Sequence, residues 1–292
     1  MPHRLTRITA MAIVGLLVAG CSARTSNAVQ ANGNPASYGD CKVTGAAGGY
    51  TLDTITKGQL LMKTELPAPG WYNGDTADDV RSGFEFCLLV NIAHRAGIDD
   101  VKLVNSSFDR LVAGKAGDMD LSLGEITITD ERRKVVDFSA PYFHSTAGVL
   151  VKSGADVTAL NLSSKKLGVR QGTVAQNLVQ DVWKPSTEPA VFPGDSELQG
   201  ALSAGKVDAV IQDLSIVLPA AANSKGKLTV VGQINTNEAY GVVLPKNSPN
   251  TATVNKILSD LEADGTVEDL STTYLKDAYG VDPKTVPVWN VQ

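Results

Sequence analysis

The sequence predicts an α/β protein built from two lobes that face each other across a cleft. Short apolar segments alternate with helical patterns along most of the 292 residues, and this alternation favours parallel sheets covered by helices. A brief internal echo, AGDMDL at 116–121 and AGKVDAV at 204–210, suggests that the arrangement occurs twice, although chance similarity is an alternative. The composition, 43% hydrophobic and 20% charged, allows a chain of this length one large core or two smaller ones.

The individual elements follow from local periodicity and boundary residues. Gly97, for example, is expected to end a helix that begins at Phe84. We expect strands at Leu60–Lys63, Lys102–Asn105, Asp120–Leu123, Gly148–Val151, Lys166–Arg170, Ala209–Gln212, Leu228–Val231 and Tyr240–Leu244. We expect helices at Phe84–Ala96, from about Phe108, and near Val174–Val182, Ser196–Ala204 and Asn250–Ala263.

The N-terminus predicts export and membrane anchoring. Arg4 and Arg7 precede an apolar run that is too short to be a stable membrane helix, so residues 1–20 are expected to be a signal peptide. The run ends in LVAGC, which resembles a bacterial lipobox with Cys21 as the lipidated residue. The alternative is an ordinary signal peptidase site at which Cys21 is incidental.

Residues 21–50 are expected to form a flexible tether after the lipidated cysteine, because the stretch SARTSNAVQANGNPASYGD has almost no large apolar side chains. Two cysteines then remain, Cys41 and Cys87. Since an exported compartment permits disulfides, we predict a Cys41–Cys87 bond, and two buried free thiols are the alternative.

The segment LGEITITDERRK at 123–134 contains an arginine in an unusual position. Thr129 is predicted to begin a helix, which places Arg132 in the first helical turn, where the helix dipole opposes a positive charge. Arg132 could neutralise Asp130, Glu131 or Asp137 on a solvated surface. Alternatively, it faces an anion that comes from outside the chain.

Several function classes are excluded or left without support. A formal net charge of −5 and the lack of a basic run with interleaved aromatics argue against nucleic-acid binding. The three histidines show no metal-ligand spacing, and no nucleophile motif is present. We therefore predict no catalytic residue, no metal and no cofactor.

The chain from about Lys57 to Ala278 resembles the family 3 extracellular solute-binding proteins, the receptors of polar amino-acid ABC importers. The most specific match is DLSLGEITITDERRKVVDFSAPYFHS, and GFEFCLLVNIAHRAG, KKLGVRQGTVAQ, GKVDAVIQD and AYGVVLPKNSP support it. The resemblance implies a type II periplasmic-binding-protein-like fold with two α/β lobes, two hinge strands and a ligand cleft between the lobes.

The resemblance also implies roles for individual residues. Arg132 would bind the α-carboxylate of the ligand with Thr127, and Asp213 would receive its α-ammonium. The backbone N–H of Thr173 would close over the carboxylate from the second lobe. Aromatic walls would come from Trp71 or Tyr72 and from Phe108.

Two positions bear on the choice of amino acid. A carboxylate at Glu125 could favour a basic ligand, whereas a guanidinium at Arg170 could favour an acidic or amide ligand. Because Glu125 can be satisfied by the ligand ammonium or by Arg170, we expect glutamine, glutamate or aspartate. The alternative for Glu125 is an outward-facing position on a strand.

The expected lobe boundaries follow from the two hinge crossings. Lobe 1 would comprise 51–148 and 241–292, lobe 2 would comprise 149–240, and the tail GVDPKTVPVWNVQ would form an extended strap over lobe 1. Ligand binding would favour closure, which a membrane permease would read.

The resemblance gives the partners as a free polar amino acid and permease subunits, with a monomeric receptor held by its lipid alone. The alternatives are a cyclohexadienyl or arogenate dehydratase on the same fold, and an amino-acid sensor that signals to a membrane partner.

Overall fold

A computed structural model describes residues 35–290. The predicted signal peptide, Cys21 and the first part of the tether lie outside these residues. Within 35–290, no helix has the length and apolar character needed to cross a membrane.

The described chain alternates strands and helices in the expected way. Its strands are β1 Gln59–Thr64, β2 Asp100–Asn105, β3 Val136–Lys152, β4 Leu167–Arg170, β5 Ala190–Phe192, β6 Ala209–Asp213 and β7 Leu228–Pro245. Its α-helices are α1 Phe84–Arg95, α2 Phe108–Val112, α3 Asp130–Arg133, α4 Val174–Asn177, α5 Asp195–Ser203, α6 Leu214–Asn223, α7 Thr251–Ala263 and α8 Thr266–Tyr279. A π-helix, Leu178–Trp183, continues α4.

Two sheets form the two lobes. In lobe 1, β1 and β2 are parallel, and Leu121 forms a parallel bridge to β1. In lobe 2, five strands lie in the order β5-β4-β6-β3-β7. Strand β4 is parallel to β5 and β6, but β3 is antiparallel to both β6 and β7. The larger sheet is therefore mixed, which corrects the expectation of purely parallel sheets.

The paired strands β3 and β7 connect the lobes. They are antiparallel from Val136 opposite Pro245 to Lys152 opposite Leu228, with register irregularities between Phe138 and Ala147. Each is a single long strand, whereas the sequence predicted only Gly148–Val151 and two separate strands in the region of β7. The strands run without a break through residues 148 and 240, the boundaries expected for the lobes.

Residues 35–50, which the sequence assigned to the tether, pack against lobe 1. Tyr38 is fully buried, and its hydroxyl donates a hydrogen bond of 2.6 Å to the carbonyl of Ile98. The predicted disulfide joins Cys41 to Cys87 on α1, and both residues are buried. The aromatic ring and the disulfide explain why this polar stretch is ordered, since both fix it to α1 and the loop that follows.

The C-terminal segment lies along the hinge instead of covering lobe 1 alone. The backbone N–H of Gln233 on β7 donates to Pro287 O at 2.8 Å, and that of Trp289 donates to Gln233 O at 2.7 Å. The indole of Trp289 covers Gly232, where any Cβ atom would be 2.3 Å from the ring. We call residues 283–290 the C-terminal strap.

Candidate functional site

A small polar cavity lies between the lobes, next to the hinge strands. Its volume is about 50 Å³, and a cleft of about 610 Å³ adjoins it, with Glu65, Glu125 and Asp195 among the residues that line both. Seven of the nine predicted ligand-binding residues line the cavity: Arg132, Thr127, Asp213, Thr173, Glu125, Arg170 and Phe108.

Arg132 is held in the cavity wall by the start of a one-turn helix. Thr129 caps α3 as predicted, because its hydroxyl accepts the backbone N–H of Arg132 at 3.1 Å. The guanidinium is buried and donates to the carbonyls of Thr127 at 2.6 Å and of Gly172 at 3.0 Å. Burial lowers the pKa of Arg132, and the nearby Asp213 and Glu238 carboxylates oppose this effect.

Arg132 takes part in none of the ion pairs found within residues 35–290. The interpretation that places it on a solvated surface, neutralised by Asp130, Glu131 or Asp137, is therefore wrong. Its two partners are neutral carbonyl groups, so its charge is available to an anion in the cavity.

Arg170 behaves differently, because carboxylates of the chain already surround it. Its guanidinium pairs with Asp195 at 2.9 Å and, across the cleft, with Glu65 at 2.6 Å. Although burial opposes its charge, Asp195 and Glu65 together raise the pKa of Arg170. Its positive charge is compensated within the protein.

Phe108 forms the aromatic contact between the two arginines. Its ring centroid lies 5.3 Å from the Cζ atom of Arg132 and 4.9 Å from that of Arg170. Cation–π attraction of this kind favours keeping both guanidinium groups near the ring. The predicted wall at Phe108 is therefore part of the cavity.

Two carboxyl groups face Arg132 across the cavity. Asp213 ends β6 and accepts the Tyr240 hydroxyl at 2.5 Å, while a Glu125 oxygen lies 3.2 Å from the Ser215 hydroxyl. Burial raises the pKa of Asp213 to about 8, and Glu238 adds to this rise. Burial, followed by repulsion from Glu85 and Asp213, raises the pKa of Glu125 well above its usual value.

The backbone of Glu125 explains why its side chain enters the cavity. Its φ of +54° is in the left-handed region, which residues other than glycine rarely adopt. The N–H of Glu125 donates to the fully buried carboxylate of Glu85 at 2.8 Å, which helps to hold this conformation. The alternative of an outward-facing Glu125 on a regular strand is wrong.

The two threonines have hydrogen bonds of their own. The Thr127 hydroxyl donates to Glu238 at 2.9 Å. Thr173 caps α4, since its hydroxyl accepts the N–H of Gln176 at 3.2 Å and donates to Arg170 O at 2.8 Å. The roles of both residues towards a ligand stay predictions.

Trp71 and Tyr72 lie in the core and do not line the cavity. The Trp71 ring packs edge-on against Phe84 and Phe143 at 5.2 and 5.0 Å, and the Tyr72 hydroxyl donates to Leu123 O at 3.1 Å. Gly83 allows the start of α1 to approach this segment closely, because a Cβ there would be 2.3 Å from Trp71 O. This packing turns both rings away from the cavity, although Trp71 borders the adjoining cleft.

Sequence reasoning missed six polar residues around the cavity: Glu65, Glu85, Asp195, Ser215, Glu238 and Tyr240. Two of them carried a usable signal. Glu65 directly follows β1, and Asp195 begins α5 with only two residues between it and the end of β5. The carboxyl ends of strands are where open α/β sheets bind ligands. Within residues 35–290, no cluster of His, Cys, Asp or Glu could hold a metal ion.

Comparisons with known proteins agree with this geometry. The family model for bacterial extracellular solute-binding proteins, family 3, matches residues 64–277. The L-cystine-binding protein TcyJ of Escherichia coli (strain K12) is 30% identical over 222 residues, which cover 74% of this chain and 82% of TcyJ. The ABC transporter glutamine-binding protein GlnH of Bacillus subtilis (strain 168) is 31% identical over 165 residues, which cover 55% of this chain and 59% of GlnH.

A solved structure shows the same fold. An ancestral arginine-binding protein bound to arginine superimposes with a TM-score of 0.67 at 31% identity, covering 75% of this chain and 98% of that protein. A structure described as an ancestral arginine-binding protein bound to glutamine superimposes with the same TM-score, identity and coverage. The type II two-lobed α/β fold expected from the sequence is therefore confirmed.

Proposed function

Since the chain belongs to the bacterial extracellular solute-binding proteins of family 3, we propose that it is a receptor that binds a free amino acid in the interlobe cavity and delivers it to an ABC permease. The observation that carries the proposal is the buried Arg132 guanidinium, which has no carboxylate partner within residues 35–290 and lines the same cavity as Asp213 and Glu125. An α-carboxylate fits Arg132, and an α-ammonium fits the two acids.

Family membership agrees with the prediction that the chain is a solute-binding receptor and not an enzyme. It supports an extracytoplasmic location, as in the family. We further propose that Cys21 carries a lipid that anchors a monomeric receptor to the membrane. A role as a sensor remains the second candidate, because the same closure could act on a signalling partner.

The charges around the cavity narrow the choice among glutamine, glutamate and aspartate. Four carboxyl groups line the cavity, from Glu65, Glu125, Asp195 and Asp213, and they face two guanidinium groups. Arg170 is already paired twice and Arg132 would receive the α-carboxylate, so an acidic side chain would add a further carboxylate without a free cation. We therefore propose glutamine, with arginine or cystine as alternatives, because relatives are named for binding them.

A thermal-shift screen of residues 35–292 against L-cystine and the common amino acids tests the proposal. Binding of one narrow class should stabilise the fold, by about 2.7 kcal/mol when the amino acid is at 100 times its Kd. Stabilisation by glutamate or aspartate but not by glutamine would contradict the charge argument. Conversion of arogenate to phenylalanine would instead support the dehydratase alternative.

A further inference from the structure

A chain of hydrogen bonds links the two carboxyl groups of the cavity. One Glu125 oxygen lies 3.2 Å from the Ser215 hydroxyl, which lies 2.8 Å from the Tyr240 hydroxyl, which lies 2.5 Å from an oxygen of Asp213. Ser215 is the second residue of α6 and Tyr240 lies on β7, so both are fixed by regular structure. The side chains of Ser215, Tyr240 and Asp213 are buried.

Counting protons shows what this chain requires. Each of the three oxygen–oxygen contacts needs one hydrogen atom between its oxygens, but Ser215 and Tyr240 together supply only two. If both carboxyl groups were ionised, one contact would bring two oxygens together without a proton. The third proton must therefore sit on Glu125, which then donates to Ser215, or on Asp213, which then donates to Tyr240.

The surroundings of the two carboxyl groups favour keeping this proton. The charged groups that act on them are Glu85 on α1, Asp195 on α5, Glu238 on β7 and Arg132. Arg170 lines the same cavity, but its charge is paired with Asp195 and Glu65. The tyrosines nearby are Tyr72, Tyr142, Tyr240 and Tyr279. Burial is the largest cause that raises the pKa of both carboxyl groups, and the surrounding acids raise it further.

We propose that Glu125, Ser215, Tyr240 and Asp213 share one proton and that capture of an amino acid releases it to the solvent. The inference rests on the proposed function, because the α-ammonium is what takes the proton's place. The ammonium supplies N–H donors to both carboxylates, so the carboxyl O–H bond breaks and its proton passes to water while the amino acid keeps its own protons. Ser215 and Tyr240 act as positioning residues.

Isothermal titration in two buffers of different ionisation enthalpy measures the proton directly. L-Glutamine, L-arginine and L-cystine are titrated in turn at pH 7 in phosphate and in Tris. For each one that binds, we expect the release of about one proton per molecule, seen as a difference in heat between the buffers.

A double variant tests the chain itself. Glu125→Gln with Asp213→Asn removes both carboxyl groups that can hold the shared proton, so proton release should fall below half of the wild-type value. Glu131→Gln removes an exposed glutamate on α3 and should leave the release at about one proton.

Binding with the same heat in both buffers at pH 7 would overturn the shared proton, and so would full release by the double variant Glu125→Gln, Asp213→Asn. Failure of the proposed function gives a different result: none of the three amino acids would produce binding heat in either buffer.

Discussion

Arg132 and Arg170 differ in their partners. Arg132 donates to two neutral carbonyl groups, whereas Arg170 pairs with two carboxylates. Both guanidinium groups contact Phe108, yet only Arg132 makes no ion pair within residues 35–290. A carboxylate in the cavity can therefore form a charge-assisted bond with Arg132 without first breaking an internal ion pair.

Arg132→Ala should weaken amino-acid binding by about 2–5 kcal/mol, because it leaves the carboxylate of the bound amino acid unpaired in a buried site. Arg133→Ala is the matched control, since Arg133 is exposed on the same helical turn. Titration calorimetry of both variants measures the effect. An unchanged Kd for Arg132→Ala would show that the carboxylate binds elsewhere.

The buried acids should also make stability depend on pH. Burial raises the pKa of Asp213 to about 8 and that of Glu85 to about 7, whereas both groups ionise near pH 4 in the unfolded chain. Groups with a raised folded pKa contribute stability that is complete below about pH 4 and is lost as pH rises towards 8. The free energy of unfolding should fall across that window.

Asp213→Asn should remove part of this dependence. Between pH 5 and pH 8.5, the free energy of unfolding should fall less in the variant than in the wild type. We expect a difference of at least about 1.4 kcal/mol, which corresponds to one pKa unit. Urea denaturation in the absence of amino acids measures the difference. Asp118→Asn, which changes an exposed carboxylate, should follow the wild-type curve, and an identical slope in Asp213→Asn would contradict the raised pKa.

Among the elements, the C-terminal strap is held to β7 mainly through one residue. The amide nitrogen of Gln233 donates to Pro283 O at 2.9 Å and to Val286 O at 2.8 Å, and its oxygen accepts the Thr146 hydroxyl at 2.9 Å. Together with its two backbone bonds, Gln233 connects the strap to both hinge strands.

Gln233→Ala should lower the free energy of unfolding by about 1–3 kcal/mol, since it leaves buried carbonyl groups of the strap without donors. Gln171→Ala, which removes an exposed amide directly after β4, should change stability by less than about 0.5 kcal/mol. Denaturant titration of both variants compares them. Equal stability losses would mean that the strap contributes little to the folded state.

The elements also show where sequence reasoning succeeds. The Thr129 cap and the Phe84 helix depend on signals within a few residues, and both were predicted within a residue or two. Helix α6 was missed because it contains Pro219, and α8 because Thr266 follows Gly265 without a capping side chain. The polar stretch around Asn235 and Asn237 concealed the continuity of β7.

At the site, sequence reasoning identified residues by motif but not by the direction of each side chain. Seven predicted residues line the cavity, whereas the rings of Trp71 and Tyr72 turn into the core because of packing against α1. Glu65 and Asp195 could not be recognised as partners of Arg170. Glu65 is 105 residues away and meets it only across the cleft, and Asp195 is 25 residues away and meets it only once lobe 2 has folded.

At the scale of the whole molecule, polar contacts within residues 35–290 join the lobes across the cavity, among them Arg132 with Gly172, Arg170 with Glu65, and Glu125 with Ser215. An amino acid bound between them would make further contacts with both lobes, which favours closure over any open arrangement. Because a bound amino acid would contact both lobes, a permease could distinguish the closed conformation with amino acid from an open one.

The anchoring proposal gives a prediction for the cell. Cys21→Ala should release the protein from the membrane fraction and abolish incorporation of a labelled acyl chain, because the thiol that carries the lipid is gone. Affinity for amino acids should be unchanged in the purified variant, since the cavity is built from residues 65–240. Retention of acyl label would show that the lipid is attached elsewhere.

The position of Trp289 has a practical consequence. The chain has three tryptophans, of which Trp71 is enclosed in the core and Trp183 belongs to the π-helix of lobe 2, while Trp289 rests on Gly232 of a strand that must bend when the lobes move. The intrinsic fluorescence of Trp289 should therefore respond to bending of β7. The motion can then be followed in native protein without attaching a dye.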